Sequence, residues 1–247
     1  MADSLAIVHV YPELLGTYGD RGNVLALCHR AEARGLSVRV VEVGPDQPLP
    51  RDGDVYVLGG GEDSAQLAAG HSLMQDERAA DILGSHPCLA VCAGFQLLSR
   101  SFTDADDVAQ PGLGLLDVTC GRLDSRAVGE VVADPVGLDA VPTLTGYENH
   151  RGSAWLGPLA APLGHLVTGV GNGDQRTEGA VQGNVVATYL HGPVLVRNPR
   201  LADLLLSRVA GPLPEYDDEG VEQLRTERLD VADPRRHRAR RALFGRR

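Results

Sequence analysis

The chain contains no lysine: all 23 of its basic side chains are arginine. That absence excludes a Schiff-base lysine and the lysine of a phosphate-binding loop. The Gly-rich run Gly59-Gly60-Gly61 lacks the Gly-Lys-Ser/Thr ending of such a loop, so no ATP site is expected here. Cysteine is scarce, and four in 247 residues do not read as a disulfide framework. Cys88 and Cys92 share a segment, but no second Cys pair or His spacing suggests zinc, so no metal is expected. No apolar stretch approaches the ~20 residues of a membrane span. The first residues, Met1-Ala2-Asp3-Ser4-Leu5, lack the basic region of a secretory signal. Together these absences lead us to expect the reducing cytoplasm.

Positive charge is also short, and it is unevenly placed. The net charge is −10, yet Arg235 to Arg247 hold seven Arg and no acid. The preceding 234 residues carry 16 Arg against 33 acids, and an acidic body does not suggest nucleic-acid binding. What remains is ordinary globular material. Hydrophobic content is 43%, and the length allows one sizeable core with an extension.

Leu5–Val10 is an apolar run suited to a first strand, and Asp20 is a candidate cap for a helix over Asn23–Arg34. Leu36–Val43 and Asp54–Leu58 read as further strands, the latter running into Gly59-Gly60-Gly61-Glu62-Asp63. A helical stretch then reaches Leu83, with a break expected near Gly70, and Leu89–Val91 is a fourth strand. This alternation argues for an α/β fold: a mostly parallel sheet with helices on both faces, whose ligands sit beyond the strand C-termini. The second half changes character. Gly112–Leu123, Ala127–Ala133, Pro142–Glu148, His165–Val170 and Val185–Leu190 are short strand candidates between Gly-, Pro- and Asn-rich turns. They are expected to add antiparallel strands to the same sheet. Leu201–Ala210 is a helix. Residues 1–212 therefore form the expected domain. Residues 213–247 form an extension, acidic then Arg-rich, either flexible or docked on a partner.

The segment Pro87-Cys88-Leu89-Ala90-Val91-Cys92-Ala93-Gly94-Phe95-Gln96-Leu97-Leu98 organises the rest. A strand turning sharply into a helix pushes the turn residue, Cys92, out at the strand's end. There the helix N-terminus favours thiolate, and its amides can hold a developing oxyanion. Cys92 also fits a buried core cysteine; the partner residues tip the balance. His191 ends an alternating strand at the break Gly192-Pro193 and suits a base for the thiol. The end of the third strand, Leu58-Gly59-Gly60-Gly61, lets backbone amides approach a ligand.

Together these residues resemble the class I glutamine amidotransferases, which have a flavodoxin-like architecture. The resemblance covers about residues 5 to 210 and sharpens to the branch containing cobyric acid synthase glutaminase domains. Within it, four runs are similar to the GatD type. These are Tyr11-Pro12, Tyr18-Gly19-Asp20-Arg21-Gly22-Asn23, Gly59 to Gln66, and Gly146-Tyr147-Glu148-Asn149-His150. The resemblance implies a glutaminase subunit with Cys92 as nucleophile, His191 as base, and Gly60 and Ala93 as oxyanion donors. It also implies Arg126 as the ligand for glutamine's carboxylate. Gln96, Glu148, Asn149 and Asp20 are expected to support the site. It implies a heterodimer with a Mur-ligase-like (MurT-like) synthetase that binds ATP and Mg. That complex would amidate the D-glutamate of the lipid II stem peptide in cell-wall synthesis, at the inner face of the membrane. Lipid II would then be met only through the partner.

Two positions depart from the superfamily pattern. Ala90 stands where many members have Gly, and Gly192-Pro193 follows His191 where a His-x-Glu ending is usual. The missing carboxylate leads us to expect an acid supplied in trans by the partner, ahead of the internal candidates Glu148 and Asp20. Three alternatives remain at this point: a stand-alone Cys–His hydrolase such as a γ-glutamyl hydrolase or cysteine peptidase, a cobyrinate-type amidating subunit, and a degenerate scaffold.

Overall fold

The computed structural model describes residues 4–236. Its first half alternates strand and helix: β1 (Leu5–Val10), α1 (Arg21–Glu32), β2 (Val38–Val43), β3 (Val55–Leu58), α2 (Asp63–Gln75), α3 (Ala79–Ser85), β4 (Cys88–Val91) and α4 (Ala93–Leu98). The second half is mostly strand: β5 (Ser101–Thr103), β6 (Ala109–Pro111), β7 (Val118–Pro135), β8 (Leu144–Leu156), β9 (Gly164–Thr168), β10 (Thr177–Glu178), β11 (Ala180–Gln182) and β12 (Val185–Thr188). Three helices close it: α5 (Val194–Arg197), α6 (Pro199–Ala210) and α7 (Glu219–Ala232).

The first sheet has the order β11-β12-β4-β3-β1-β2 and is parallel except for the β11–β12 pair. Every residue of β3, β4 and β12 is buried. Apolar cover on both faces is what a parallel sheet demands, and it explains these short, continuous apolar runs. Along β1 the side chains alternate between two cores. Ile7 joins Val24, Leu27, Leu201 and Leu205 of α1 and α6. Val8 and Val10 join Leu73, Leu83 and Phe95 of α2, α3 and α4. Within the helical stretch to Leu83, Gly70 stays inside α2, and the break falls at Asp76–Arg78.

The second half departs from the expectation of one sheet. Of the five strand candidates there, only Val185–Leu190 joins the parallel sheet, as β12. The others build a separate sheet, β10-β9-β7-β5-β6, with β8 paired to β7. The physical reason is length. The 18-residue β7 and 13-residue β8 form a long antiparallel hairpin, far longer than the four-residue strands of the first sheet. Phe102, Val118, Cys120 and Ala154 of this sheet pack into the core shared with α2, α3 and α4.

The extension is docked on its own domain. Arg225 of α7 is buried and bonds the Thr143 carbonyl, Leu229 is buried, and Arg235 pairs with Asp134 at 2.6 Å. The Arg-rich stretch after residue 236 lies outside the described residues. No described helix is long and apolar enough to cross a membrane.

Candidate active site

The strand ends of the first sheet run 2-1-3-4-5, counting β12 as the fifth, so the order reverses between β1 and β3. In an open α/β sheet that reversal opens a crevice at the strand C-termini. Cys92 stands there, between β4 and α4, at φ 52° and ψ −101°. A non-glycine residue in this region is strained, as a turn that projects its side chain outward requires. The elbow is held on both sides: Cys92 N–H donates to the Thr188 carbonyl (2.8 Å) and Gly94 N–H to the Gly59 carbonyl (3.1 Å). Ala93, at the first position of α4, has an N–H with no acceptor inside the helix.

His191 follows β12 and is fixed by a reciprocal backbone pair with Tyr147, 2.7 and 3.1 Å. Asp20 comes from the loop between β1 and α1. It occupies the N-cap of α1, yet its carboxylate makes no cap hydrogen bond. Instead Oδ2 accepts the Gly60 N–H at 2.7 Å, and Oδ1 lies 3.6 Å from His191 Nδ1. The latter is an ion-pair distance, longer than a hydrogen bond. Cys92, His191 and Asp20 all converge on Gly60. A Cβ there would lie 3.0 Å from His191 Cε1, 3.2 Å from Asp20 Oδ2 and 3.5 Å from Cys92 Cβ. Burial of His191 disfavours its cation, but Asp20 and Cys92 outweigh that and raise its pKa to about 10.

The chain itself brings one of the internal candidates, Asp20, beside His191. Asp20 is fully buried beside His191. The departure at Pro193 has its cause in the same place. The Pro193 ring lies against Gly22, where a Cβ would come within 2.2 Å of Pro193 Cγ. Position 193 is occupied by this packing, and the start of α1 brings Asp20 to the imidazole. Glu148 is not at His191: its carboxylate accepts the Val170 and Gly171 N–H groups and lies 3.5 Å from His150 Nε2. Of the two expected oxyanion donors, Gly60 gives its N–H to Asp20 Oδ2 in this arrangement. Gly61, one residue on, lines the cavity.

That cavity has a volume of about 450 Å³, and its lining includes Cys92, Gly61, Gln96, Arg126 and Asn149. Gln96 is buried, accepting from Gln66 Nε2 at 2.7 Å. Arg126 sits where β7 and β8 lose register between Arg122 and Ala127, an irregularity that re-aims the side chain. Its Nε donates to Asn149 Oδ1 at 2.6 Å and its Nη2 to the Tyr18 hydroxyl at 2.9 Å. Neutral acceptors thus hold the guanidinium, and no carboxylate pairs with it among the described residues. The Tyr18 ring lies 4.8 Å from the His191 ring. Sequence reasoning assigned no role to Tyr18, Gln66 or His150. Tyr18 stood within a quoted run, and its backbone at φ 63° was not legible there. His150 is stacked on Tyr189 at 4.0 Å, a contact between distant strands with no local signal. A larger hollow of about 910 Å³, beside Tyr216 and Glu222, shares no residue with this cavity. Among the described residues no group of three His, Cys, Asp or Glu side chains could hold a metal ion.

A nucleophile elbow, an imidazole and a buried carboxylate at one strand-end crevice define a Cys–His–Asp constellation on a flavodoxin-like sheet. Residues 6–199 match the model of the CobB/CobQ-like glutamine amidotransferase domain, and the chain belongs to that family. Solved structures agree on the fold. A glutamine amidotransferase crystal structure superposes with TM-score 0.53 at 19% identity, covering 83% of this chain and 99% of that one. The Trypanosoma brucei CTPS glutaminase domain with bound acivicin gives 0.53 at 13%, covering 87% and 96%. Among individual proteins, the chain is similar to GatD, a subunit of the glutamine-hydrolysing lipid II isoglutaminyl synthase. It is 34% identical to that of Staphylococcus aureus, over 83% of this chain and 84% of the relative. It is 33% identical to that of Streptococcus pneumoniae, over 92% and 91%. The cobyric acid synthase of Sphingopyxis alaskensis is 32% identical, but the match spans only 35% of its length.

Proposed function

We propose that this chain is the glutaminase subunit of a lipid II isoglutaminyl synthase. In this reading Cys92 attacks the carboxamide carbon of glutamine. His191, held by Asp20, receives the thiol proton and passes it to departing ammonia. The amides of Ala93 and Gly61 receive the oxyanion, in place of the Gly60 amide that Asp20 occupies. Arg126, steadied by Asn149 and Tyr18, binds the α-carboxylate. Water then hydrolyses the thioester to glutamate. The ammonia passes to a Mur-ligase-like synthetase, which binds ATP and Mg and carries the lipid II stem peptide. The observation that carries this reading is the convergence of Cys92, His191 and Asp20 on Gly60, beside a cavity whose lining also presents Arg126, with which no carboxylate pairs among the described residues.

A glutamine analogue with an electrophilic carbon, 6-diazo-5-oxonorleucine, tests it. The analogue should label Cys92 and spare Cys28, Cys88 and Cys120, whose thiols burial pushes up. Labelling at Cys88 instead would move the elbow and sink the assignment. The division of labour has its own test: calorimetry of the isolated chain should show no MgATP binding, and micromolar binding would refute it.

A further inference from the structure

Glu62 is an acid without an evident task. It stands at the N-cap of α2 in extended backbone (φ −72°, ψ 159°), yet its side chain makes no cap hydrogen bond. Glutamate is not among the residues that cap helices well. It is exposed, and no cation pairs with it among the described residues. It nevertheless lines the Cys92 cavity and directly follows Gly61.

Glu62 shares that cavity with Tyr18 and Arg126, and Arg126 donates a hydrogen bond to the Tyr18 hydroxyl. A cation and an anion therefore line the one cavity that holds the thiol. Glutamine has a matching layout. Its α-carbon carries a carboxylate and an ammonium on one atom, and three carbon–carbon bonds, about 4 Å, separate that atom from the carboxamide carbon. The two receivers must therefore be neighbours on the rim, a few ångströms from the nucleophile. Another cavity acid, Asp104, is already committed. Its carboxylate accepts from the Gln110 side chain and from the Val108 and Asp106 amides.

We propose that Glu62 receives the α-ammonium group of the amide donor while Arg126, on the same cavity lining, takes its carboxylate, so that this rim selects a free α-amino acid over a simple amide or a γ-carboxamide acid without the amine. The inference rests on the reading of the site as a glutaminase and adds the second half of the donor's recognition.

The test compares two reagents on the full chain, read by mass spectrometry at Cys92. 6-Diazo-5-oxonorleucine carries the α-ammonium; iodoacetamide carries no amino-acid portion. Glu62→Gln should slow labelling by the first roughly tenfold, the worth of a charge-assisted contact at an exposed site, and leave the second unchanged. Asp124→Asn and Asp63→Asn, which alter other acids of the same rim, should leave both rates unchanged. Unaltered diazo-oxonorleucine labelling in Glu62→Gln overturns the proposal. So does an equal slowing of both reagents, which would make Glu62 a support of the thiol, and so does the loss appearing in Asp124→Asn or Asp63→Asn instead. A parent chain that the analogue does not label at Cys92 overturns the glutaminase reading itself, and this proposal with it.

Discussion

The two sheets bring different things to the Cys92 cavity. The parallel sheet acts through its strand ends: Asp20 beyond β1, Gly60 and Gly61 beyond β3, Cys92 beyond β4 and His191 beyond β12. The antiparallel sheet acts through one hairpin, whose irregular register delivers Arg126 and Asn149. One region thus carries the thiol, imidazole and carboxylate, and the other the arginine that in the proposed function holds the far end of the substrate. The difference teaches where precision is required. Cys92 and His191 follow strands buried on both faces, where packing leaves little freedom. Arg126 is exposed on the hairpin, where neutral hydrogen bonds rather than core packing fix it.

If that division holds, changes on the parallel side should strike kcat and changes on the antiparallel side KM. Cys92→Ala should abolish glutamine hydrolysis while leaving the thermal melt intact, because only the nucleophile is removed. Asp20→Asn should lower kcat by roughly a hundredfold or more, since a triad works poorly when its imidazole loses its carboxylate. The same change should drop the His191 pKa from about 10, which a proton titration of the ring would register. Arg126→Ala should raise KM for glutamine roughly ten- to hundredfold with kcat nearly unchanged, the worth of a guanidinium–carboxylate contact. A fall in kcat without a rise in KM would place Arg126 among the reacting groups and break the comparison.

Two smaller effects test the framework. Gly22→Ala should destabilise by about 1–3 kcal/mol, because the new methyl meets the Pro193 ring and must displace either the ring or the start of α1. Its kcat should fall too, as Asp20 shifts. Glu178 offers a pH signature. Burial pushes its carboxyl from 4.5 to about 7. The folded state therefore keeps a proton that the unfolded state releases. Its contribution to stability is fully present below 4.5 and is lost as pH rises through about 7. Glu178→Gln should flatten the melting temperature across that window, and an unaltered slope would assign the pH dependence elsewhere.

Legibility in the sequence followed the same division. β1, the elbow and β3 were readable because buried parallel strands write continuous apolar runs, and a nucleophile turn needs small residues within a few positions. Cys92 and His191 are marked by local signals of that kind. Asp20 was legible as a helix cap and as a minor internal candidate, but not as the partner of His191. Its N-cap position is a local feature, while its carboxylate is directed by Gly60 and by the seating of Pro193 against Gly22, contacts spanning most of the chain. The same limit applies to the Gly60 amide. The glycine run marks a close backbone approach, but which amide is already engaged depends on a side chain forty residues away. The separate second sheet was unreadable because β-propensity does not say which edge a strand will join.

The central claim is that one chain carries nucleophile, base and orienting acid. Ammonia release from glutamine by the isolated chain, beside its Asp20→Asn variant, tests it most directly. We predict measurable turnover in the isolated parent chain, lowered roughly a hundredfold by the substitution. Equal rates in the two, or turnover that appears only when a partner's carboxylate is supplied, would contradict it.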